Sequence, residues 1–186
     1  GYDSEVIKEE YEYNINLIKD KLKDYIFGYG NIKIEEAIID LLRKNNYKLG
    51  LCESCTGGLV SSKITSISGS SDVFDCSLVT YSNEAKMVEL NVNKNTLDEY
   101  GAVSKQTAYE MAKGLMDKRD LDIVVSITGI AGPNSDDTNK PVGLVYICVM
   151  TKSHYNVVKC NFFGTRKSIQ NKTTMKVFEL IRNELI

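Results

Sequence analysis

Tyr47-Lys48-Leu49-Gly50-Leu51-Cys52-Glu53-Ser54-Cys55-Thr56-Gly57-Gly58 is the stretch on which the fold turns. Leu49, Leu51 and Cys52 form a short apolar run that predicts a buried strand. From Leu59 onward, Val60, Ile64 and Ile67 recur at helical spacing. Between the two lies a tight polar turn, Glu53 to Gly58. A strand passing through such a turn into a helix places Ser54 beside amides that lack an intrahelical partner and carry the positive end of the helix dipole. Gly57 and Gly58 allow a ligand to approach the backbone closely. A hydroxyl held there can serve as a nucleophile beside an oxyanion or phosphate site. An N-capping serine or threonine, with glycines for close packing, gives the same letters, and the six turn residues leave both readings open.

The remaining elements extend from this unit in both directions. Upstream, residues 5 to 27 read as an amphipathic helix, with Val6, Tyr13, Leu17, Ile18, Leu22, Tyr25 and Ile26 set against many charges. Gly28-Tyr29-Gly30-Asn31 breaks it, and a second helix follows with Ile34, Ala37, Ile38, Leu41 and Leu42 on one face, ending at Asn45 and Asn46. The first strand is expected over Lys48 to Cys52 and the next helix over Gly57 to Ile67. Asp75 to Tyr81 has strand composition and runs into a helix start capped by Ser82 or Asn83. A short acidic segment ends at Tyr100-Gly101. Ser104 caps a helix to about Lys118, with Ala108, Met111, Ala112 and Leu115 inward. Ile123 to Ile127 is a continuous apolar run, hence a central strand, and Thr128-Gly129-Ile130-Ala131-Gly132-Pro133 is a second glycine-rich strand end. Val142 to Met150 and Tyr155 to Phe163 predict an antiparallel hairpin, and a last helix spans Arg166 to Leu185. This order predicts an α/β fold: a three-layer sandwich with a mixed β-sheet flanked by helices, plus an N-terminal helical extension. Ligands in such sheets sit at strand carboxyl ends, so the turns after Cys52, Tyr81 and Ile127 are expected to line one crevice.

Composition narrows the chemistry. Twenty-three basic and 25 acidic residues among 186 give a net charge of −2, which argues against a broad nucleic-acid-binding face. No apolar run is long enough to span a membrane, and the N-terminus lacks the plan of a signal peptide. Five scattered cysteines do not make a disulfide framework, so a cytoplasmic protein is expected. The single histidine, His154, rules out HExxH zinc sites and sits in an expected hairpin turn, where a solvated side chain is the natural reading. Without it, Ser54 needs another base. Lys86 lies in the first turn of the helix after Tyr81. Burial and the helix dipole would both lower its pKa toward the range where it accepts a serine proton, whereas a solvated surface lysine would stay charged. Cys52 and Cys55 form a CxxC at a strand-to-helix turn, the place of a redox pair, but Cys52 reads as the last inward residue of the strand. Cys55, beside the helix start, is expected to gain thiolate character there.

Five motifs in order resemble one family: Glu53-Ser54-Cys55-Thr56-Gly57-Gly58, Tyr81-Ser82-Asn83-Glu84-Ala85-Lys86, Gly101-Ala102-Val103-Ser104, Thr128-Gly129-Ile130-Ala131-Gly132-Pro133 and Lys140-Pro141-Val142-Gly143. Together they resemble the C-terminal domain of the competence/damage-inducible CinA proteins, a domain that also stands alone as the nicotinamide-nucleotide amidase PncC. The resemblance runs from about Ile34 to the end. Ile18 to Gly30 looks like the segment that joins this domain to the N-terminal part of CinA. Residues 1–30 are accordingly expected to be a helical linker and 31–186 the amidase-like domain, together the C-terminal portion of a longer protein. The resemblance implies hydrolysis of the carboxamide of nicotinamide mononucleotide, giving nicotinic acid mononucleotide and ammonia. It implies a catalytic Ser54–Tyr81–Lys86 site, no cofactor or metal, and self-association. Glu53 and the turn residues Cys55, Thr56, Gly57 and Gly58 are expected on the substrate's reacting end. Arg166 with Thr128, Gly129, Ala131 and Gly132 is expected on its phosphate and ribose. Two positions depart from the family pattern: Asn134-Ser135-Asp136-Asp137 replaces a more glycine-rich loop, and Gly164-Thr165-Arg166 replaces Gly-Asp-Arg. The rival expectation is a nucleotide-binding or partner-recruiting module without turnover. The N-terminal helix, which has no place in the sheet domain, is expected to pack on a second subunit or on preceding domains.

Overall fold

A computed structural model describes residues 4–22, 25–135 and 139–186. Two helices, α1 (Ser4–Leu22) and α2 (Ile34–Asn45), precede the unit β1 (Leu49–Glu53) and α3 (Leu59–Thr65). A 3₁₀ turn (Ser70–Asp72) leads into β2 (Phe74–Val79), followed by α4 (Asn83–Leu90), α5 (Lys94–Tyr100) and α6 (Lys105–Lys118). The chain closes with β3 (Ile123–Gly129), the hairpin β4 (Leu144–Thr151) and β5 (Tyr155–Asn161), and α7 (Arg166–Leu185).

The sheet order is β2-β1-β3-β4-β5. The strand β1 runs parallel to both β2 and β3, while β4 and β5 are antiparallel additions. Because β1 and β3 are central and covered on both faces, their residues are buried without alternation, as the largely apolar run Ile123–Ile127 suggests. On one face, Leu49, Leu51, Val125, Ile127 and Ile147 meet Ile38 and Leu42 of α2, Val60 and Ile64 of α3, and Val177, Phe178 and Ile181 of α7. On the other, Cys52, Val124 and Cys148 meet Leu90 of α4, Leu97 of α5, and Ala108, Met111 and Leu115 of α6. These are the three layers of the predicted sandwich. The parallel strands β1, β2 and β3 point the same way, so their carboxyl ends open on one edge of the sheet. The His154 turn lies at the opposite edge, since Thr151 pairs with Ile123 at the start of β3.

Several boundaries differ from the sequence expectation for physical reasons. The helix after Ser54 starts at Leu59 rather than Gly57, because Gly57 and Gly58 occupy left-handed backbone (φ 62° and 92°) that no helix continues. The segment before Tyr100, expected as a short acidic stretch, is the helix α5. Its cap is Asn93, whose side chain accepts from the Asn95 amide. The N-terminal helix is expected to reach residue 27; residues 25–27 are not helical, residues 23 and 24 lie outside the described residues, and the described helix Ser4–Leu22 buries none of its residues. Val6, Ile7, Tyr11, Tyr13, Leu17, Ile18 and Leu22 are all exposed on it. No helix among the described residues is long and apolar enough to cross a membrane.

The helix α4 is held against α6 by one close backbone approach. A Cβ on Gly114 would fall 1.7 Å from the Leu90 carbonyl oxygen, so the two helices meet where only glycine fits. Gly114→Ala is therefore expected to destabilise the fold by about 2–3 kcal/mol, because backbone, not a mobile side chain, must yield. Urea denaturation measures this, and native stability in the variant would contradict so tight a contact.

Candidate active site

Ser54 follows the last residue of β1 and is buried at the carboxyl edge. Its neighbour Glu53 belongs to the scaffold instead of the substrate-contacting set in which the sequence placed it. The Glu53 carboxylate is fully buried and accepts from the amides of Gly58 (3.0 Å), Val60 (3.2 Å) and Ser61 (2.8 Å). A carboxylate with three amide donors at a helix start is well compensated, and it satisfies the groups that α3 would otherwise offer a ligand. The Gly57 amide donates to the Ser54 carbonyl and the Leu59 amide to the Thr56 carbonyl. Among the described residues the Thr56 amide carries no hydrogen bond and the Cys55 amide none beyond its own thiol, so only these two remain of the turn amides expected as oxyanion donors over Cys55–Gly58. From α7, Gln170 donates to the Cys55 carbonyl at 2.8 Å and fixes the turn from the far side.

Lys86 is the base candidate that the geometry brings to Ser54. Ser82 caps α4 by accepting from the Ala85 amide, and the first turn of that helix carries Lys86 inward. Its Nζ lies 3.2 Å from Ser54 Oγ and donates to the Thr80 carbonyl at 2.8 Å. With 1% of its surface exposed, it is the bulkiest fully buried side chain among the described residues. Burial lowers its pKa from 10.5 to about 8, opposed only by the neighbouring Cys55. Among the described residues no carboxylate pairs with it. As an ammonium it donates to Ser54 Oγ; as an amine it accepts the Ser54 hydroxyl proton while keeping an N–H on Thr80.

Tyr81, expected as the third catalytic member, lies at the rim and not between Ser54 and Lys86. It is 60% exposed, and its hydroxyl accepts from Arg166 at 2.7 Å. Arg166, in the first turn of α7, also donates to the Gly132 carbonyl at 2.9 Å. The contact between Ser54 and Lys86 is thus direct, and Tyr81, Arg166 and Gly132 form a separate chain across the mouth.

Ser54, Cys55, Tyr81, Lys86, Thr128, Gly129, Ala131, Gly132 and Arg166 all line one cleft of about 300 Å³, which joins the three strand-end turns as the topology predicts. Thr56, Gly57 and Gly58 do not line it and face an adjacent depression. The Thr128 hydroxyl is committed to the Ala102 carbonyl (2.6 Å), and the Ile130 amide to the Leu144 carbonyl (2.9 Å). Sequence reasoning assigned no role to Ala102, Val103 or Ile130, which form an apolar wall of the cleft. Lys140 braces that wall by donating to the carbonyls of Tyr100 and Val103. The motif Gly101–Ser104 held this signal: an apolar pair at a helix cap, with no packing partner assigned. Gln170 and Thr80 gave no signal at all, because one acts on a carbonyl and the other through its own.

The two cysteines of the CxxC point into different cores. Cys52 packs toward α6, with its thiol on the Met111 carbonyl, and Cys55 packs in the opposite layer. Burial pushes the Cys52 thiol well above its ordinary range and the Cys55 thiol up to about 12. The thiolate expected at Cys55 is therefore not stabilised; desolvation exceeds the favourable backbone and Arg166 terms. His154 contacts the Thr151 and Ser153 hydroxyls through Nδ1 and Glu184 through Nε2 (3.0 Å), far from Ser54 at the other sheet edge.

The fold is thus an α/β domain with a mixed sheet, and Ser54 and the buried Lys86 stand together at the carboxyl edge of that sheet. The profile of the CinA C-terminal domain matches residues 31–185, and the chain belongs to that family. A CinA-like protein of Kosmotoga olearia is 44% identical over 169 residues, covering 91% of this chain and 41% of that protein. A putative competence-damage inducible protein of Thermoanaerobacter sp. is 41% identical over 186 residues, covering all of this chain and 45% of its own length. The chain thus spans less than half the length of these relatives. Among solved structures, the competence/damage inducible protein CihA of Agrobacterium tumefaciens superposes with a TM-score of 0.78 at 35% identity, covering 81% of this chain and 92% of that one. A competence or damage-inducible protein of Enterobacter asburiae gives 0.79 at 29% identity, covering 84% and 100%.

The buried lysine has a stability signature. Its folded pKa near 8 lies below the ordinary 10.5, so between those values the unfolded chain holds a proton that the native state has shed. Stability contributed at this position therefore rises with pH across that window. Compared with Lys86→Met, the wild type should gain up to roughly 3 kcal/mol between pH 8 and 10.5. Denaturation of both proteins over that range measures the difference, and a flat difference would mean that Lys86 keeps an ordinary pKa.

Proposed function

We propose that this domain is an amidohydrolase that deamidates nicotinamide mononucleotide, with Ser54 as nucleophile and Lys86 as general base. The observation that carries the reading is the 3.2 Å approach of a buried lysine Nζ, pKa about 8 and without an acidic partner among the described residues, to a serine hydroxyl in an open cleft.

Neutral Lys86 takes the Ser54 proton as Oγ attacks the carboxamide carbon. The Cys55 amide, in the part of the turn that lines the Ser54 cleft, is the donor placed to meet the oxygen that becomes negative. Lys86, now an ammonium, returns the proton to the amide nitrogen, the C–N bond breaks and ammonia leaves. Water attacks the resulting ester with Lys86 again as base, giving the carboxylate and regenerating Ser54. The apolar wall of Ala102, Val103 and Ile130 suits a pyridine ring, and the ring's positive charge makes the carboxamide carbon more electrophilic. Tyr81 serves at the rim, positioning substrate together with Arg166. The cytoplasm is the expected compartment, and the reaction needs no metal.

Purified protein should release ammonia from nicotinamide mononucleotide in the presence of EDTA. Lys86→Ala should lower kcat by about 10²–10⁴-fold with little change in KM. Lys86→Arg should be nearly as poor, because arginine cannot give up its proton near neutral pH. Wild-type activity should rise with pH through about 8 as Lys86 loses its proton, and this limb should vanish in Lys86→Arg. Near-native turnover by the arginine variant would remove Lys86 as base. A folded protein that binds the mononucleotide without releasing ammonia would favour the non-catalytic binding module.

A further inference from the structure

Two depressions meet at Arg166. One is the Ser54 cleft. The other, of about 650 Å³, lies over Thr56, Gly57 and Gly58 and against the first turns of α7, where Arg166, Lys167 and Asn171 face it. Its lining carries two cations and no carboxylate. The space above Gly57 is open: nothing lies within 4 Å of where a Cβ would sit. Thr56 beneath is buried, and its hydroxyl has no hydrogen-bond partner. A buried hydroxyl left unpaired costs free energy unless a ligand or water completes it. The Glu53 carboxylate is taken up by the amides of Gly58, Val60 and Ser61 at the start of α3.

The opposite wall of the Ser54 cleft carries the polar side chains of Asn134 and Ser135 but no cation among the described residues. The Thr128 hydroxyl is committed to the Ala102 carbonyl and the Ile130 amide to the Leu144 carbonyl. Gly132 presents its carbonyl oxygen toward Arg166, which would repel an anion. Among the described residues, the cations other than Lys86 that line either depression, Arg166 and Lys167, both lie on the α7 side.

We propose that the depression over Thr56–Gly58 is an anion subsite of the Ser54 cleft and takes the phosphate monoester of the substrate, with Arg166 standing between the two chambers and Lys167 supplying the second charge. The identity of the substrate rests on the amidase reading above; the subsite itself rests on the geometry. Because Arg166 already bridges Tyr81 and Gly132, binding exchanges one of these contacts for the phosphate, which links occupancy of the subsite to the rim over Ser54.

The test compares nicotinamide mononucleotide with nicotinamide riboside, which lacks the phosphate, in the wild type and in Lys167→Glu, a substitution at an exposed position. The ratio of the mononucleotide KM to the riboside KM should rise by about 10-fold or more in the variant, the loss expected when a charge-assisted contact to phosphate becomes a repulsive one. An unchanged ratio would overturn the proposal while leaving the amidase reading standing. If neither compound is hydrolysed, a phosphorus NMR titration of the same two proteins with inorganic phosphate reads the subsite alone. Saturable binding that weakens about 10-fold in Lys167→Glu supports the subsite. Absent binding, or equal binding by both proteins, removes it.

Discussion

One unpaired lysine, closed away from water, is the constraint on which the rest of the site depends. A buried ammonium without a carboxylate partner is expensive, and the protein lowers the cost by letting Lys86 lose its proton near pH 8 instead of by neutralising it. That choice ties together distant parts of the chain. Ser82 must cap α4 so that its first turn faces inward, Thr80 must leave its carbonyl free to receive the lysine, and Gly114 must let α4 sit directly on α6. An acidic residue in contact with Lys86 would stabilise the fold and hold the lysine charged, ending its use as a base.

The turn around Ser54 shows the complementary arrangement. A helix that starts beside a nucleophile normally exposes its own amides. Here Glu53, the residue immediately before the nucleophile, reaches past it and occupies those of α3, which pins the turn from below while Gln170 pins the Cys55 carbonyl from above. The donors left over are the Cys55 and Thr56 amides. The turn is rigid because its groups are satisfied internally, and the few that are not lie where a reacting oxygen and a phosphate would be received in the proposed chemistry.

The fold was legible in the sequence wherever period and punctuation agreed. The switch from the apolar run at Leu49–Cys52 to helical spacing at Leu59–Ile67, the continuous run Ile123–Ile127, and the caps Ser82 and Ser104 all read correctly, because each is set by local chemistry. The helix α5 was missed because its seven residues are too few to establish a period and its signal is a single capping asparagine. At the site, the motifs located Ser54 and Lys86 but not the division of labour among their neighbours. Glu53 and Tyr81 are polar residues inside or beside catalytic-looking motifs, and nothing local tells a carboxylate that caps a helix from one that binds substrate, or a tyrosine at the rim from one between base and nucleophile. Those distinctions are decided by contacts from α3 and α7, 7 to 85 residues away along the chain. Cys55 misled for a similar reason: proximity to a helix start suggests a thiolate, and only burial shows that desolvation governs it.

The most direct test of this account is a pH titration of the Lys86 side-chain nitrogen by NMR, assigned with Lys86→Arg and repeated in Ser54→Ala. The account predicts a resonance that titrates near pH 8, well below the ordinary lysine value of 10.5, and that remains depressed without Ser54 because burial is the cause. A Lys86 nitrogen that titrates near the ordinary 10.5 would contradict the account: the amine form would then be a trace species across the working pH range, and Ser54 would lack an effective base.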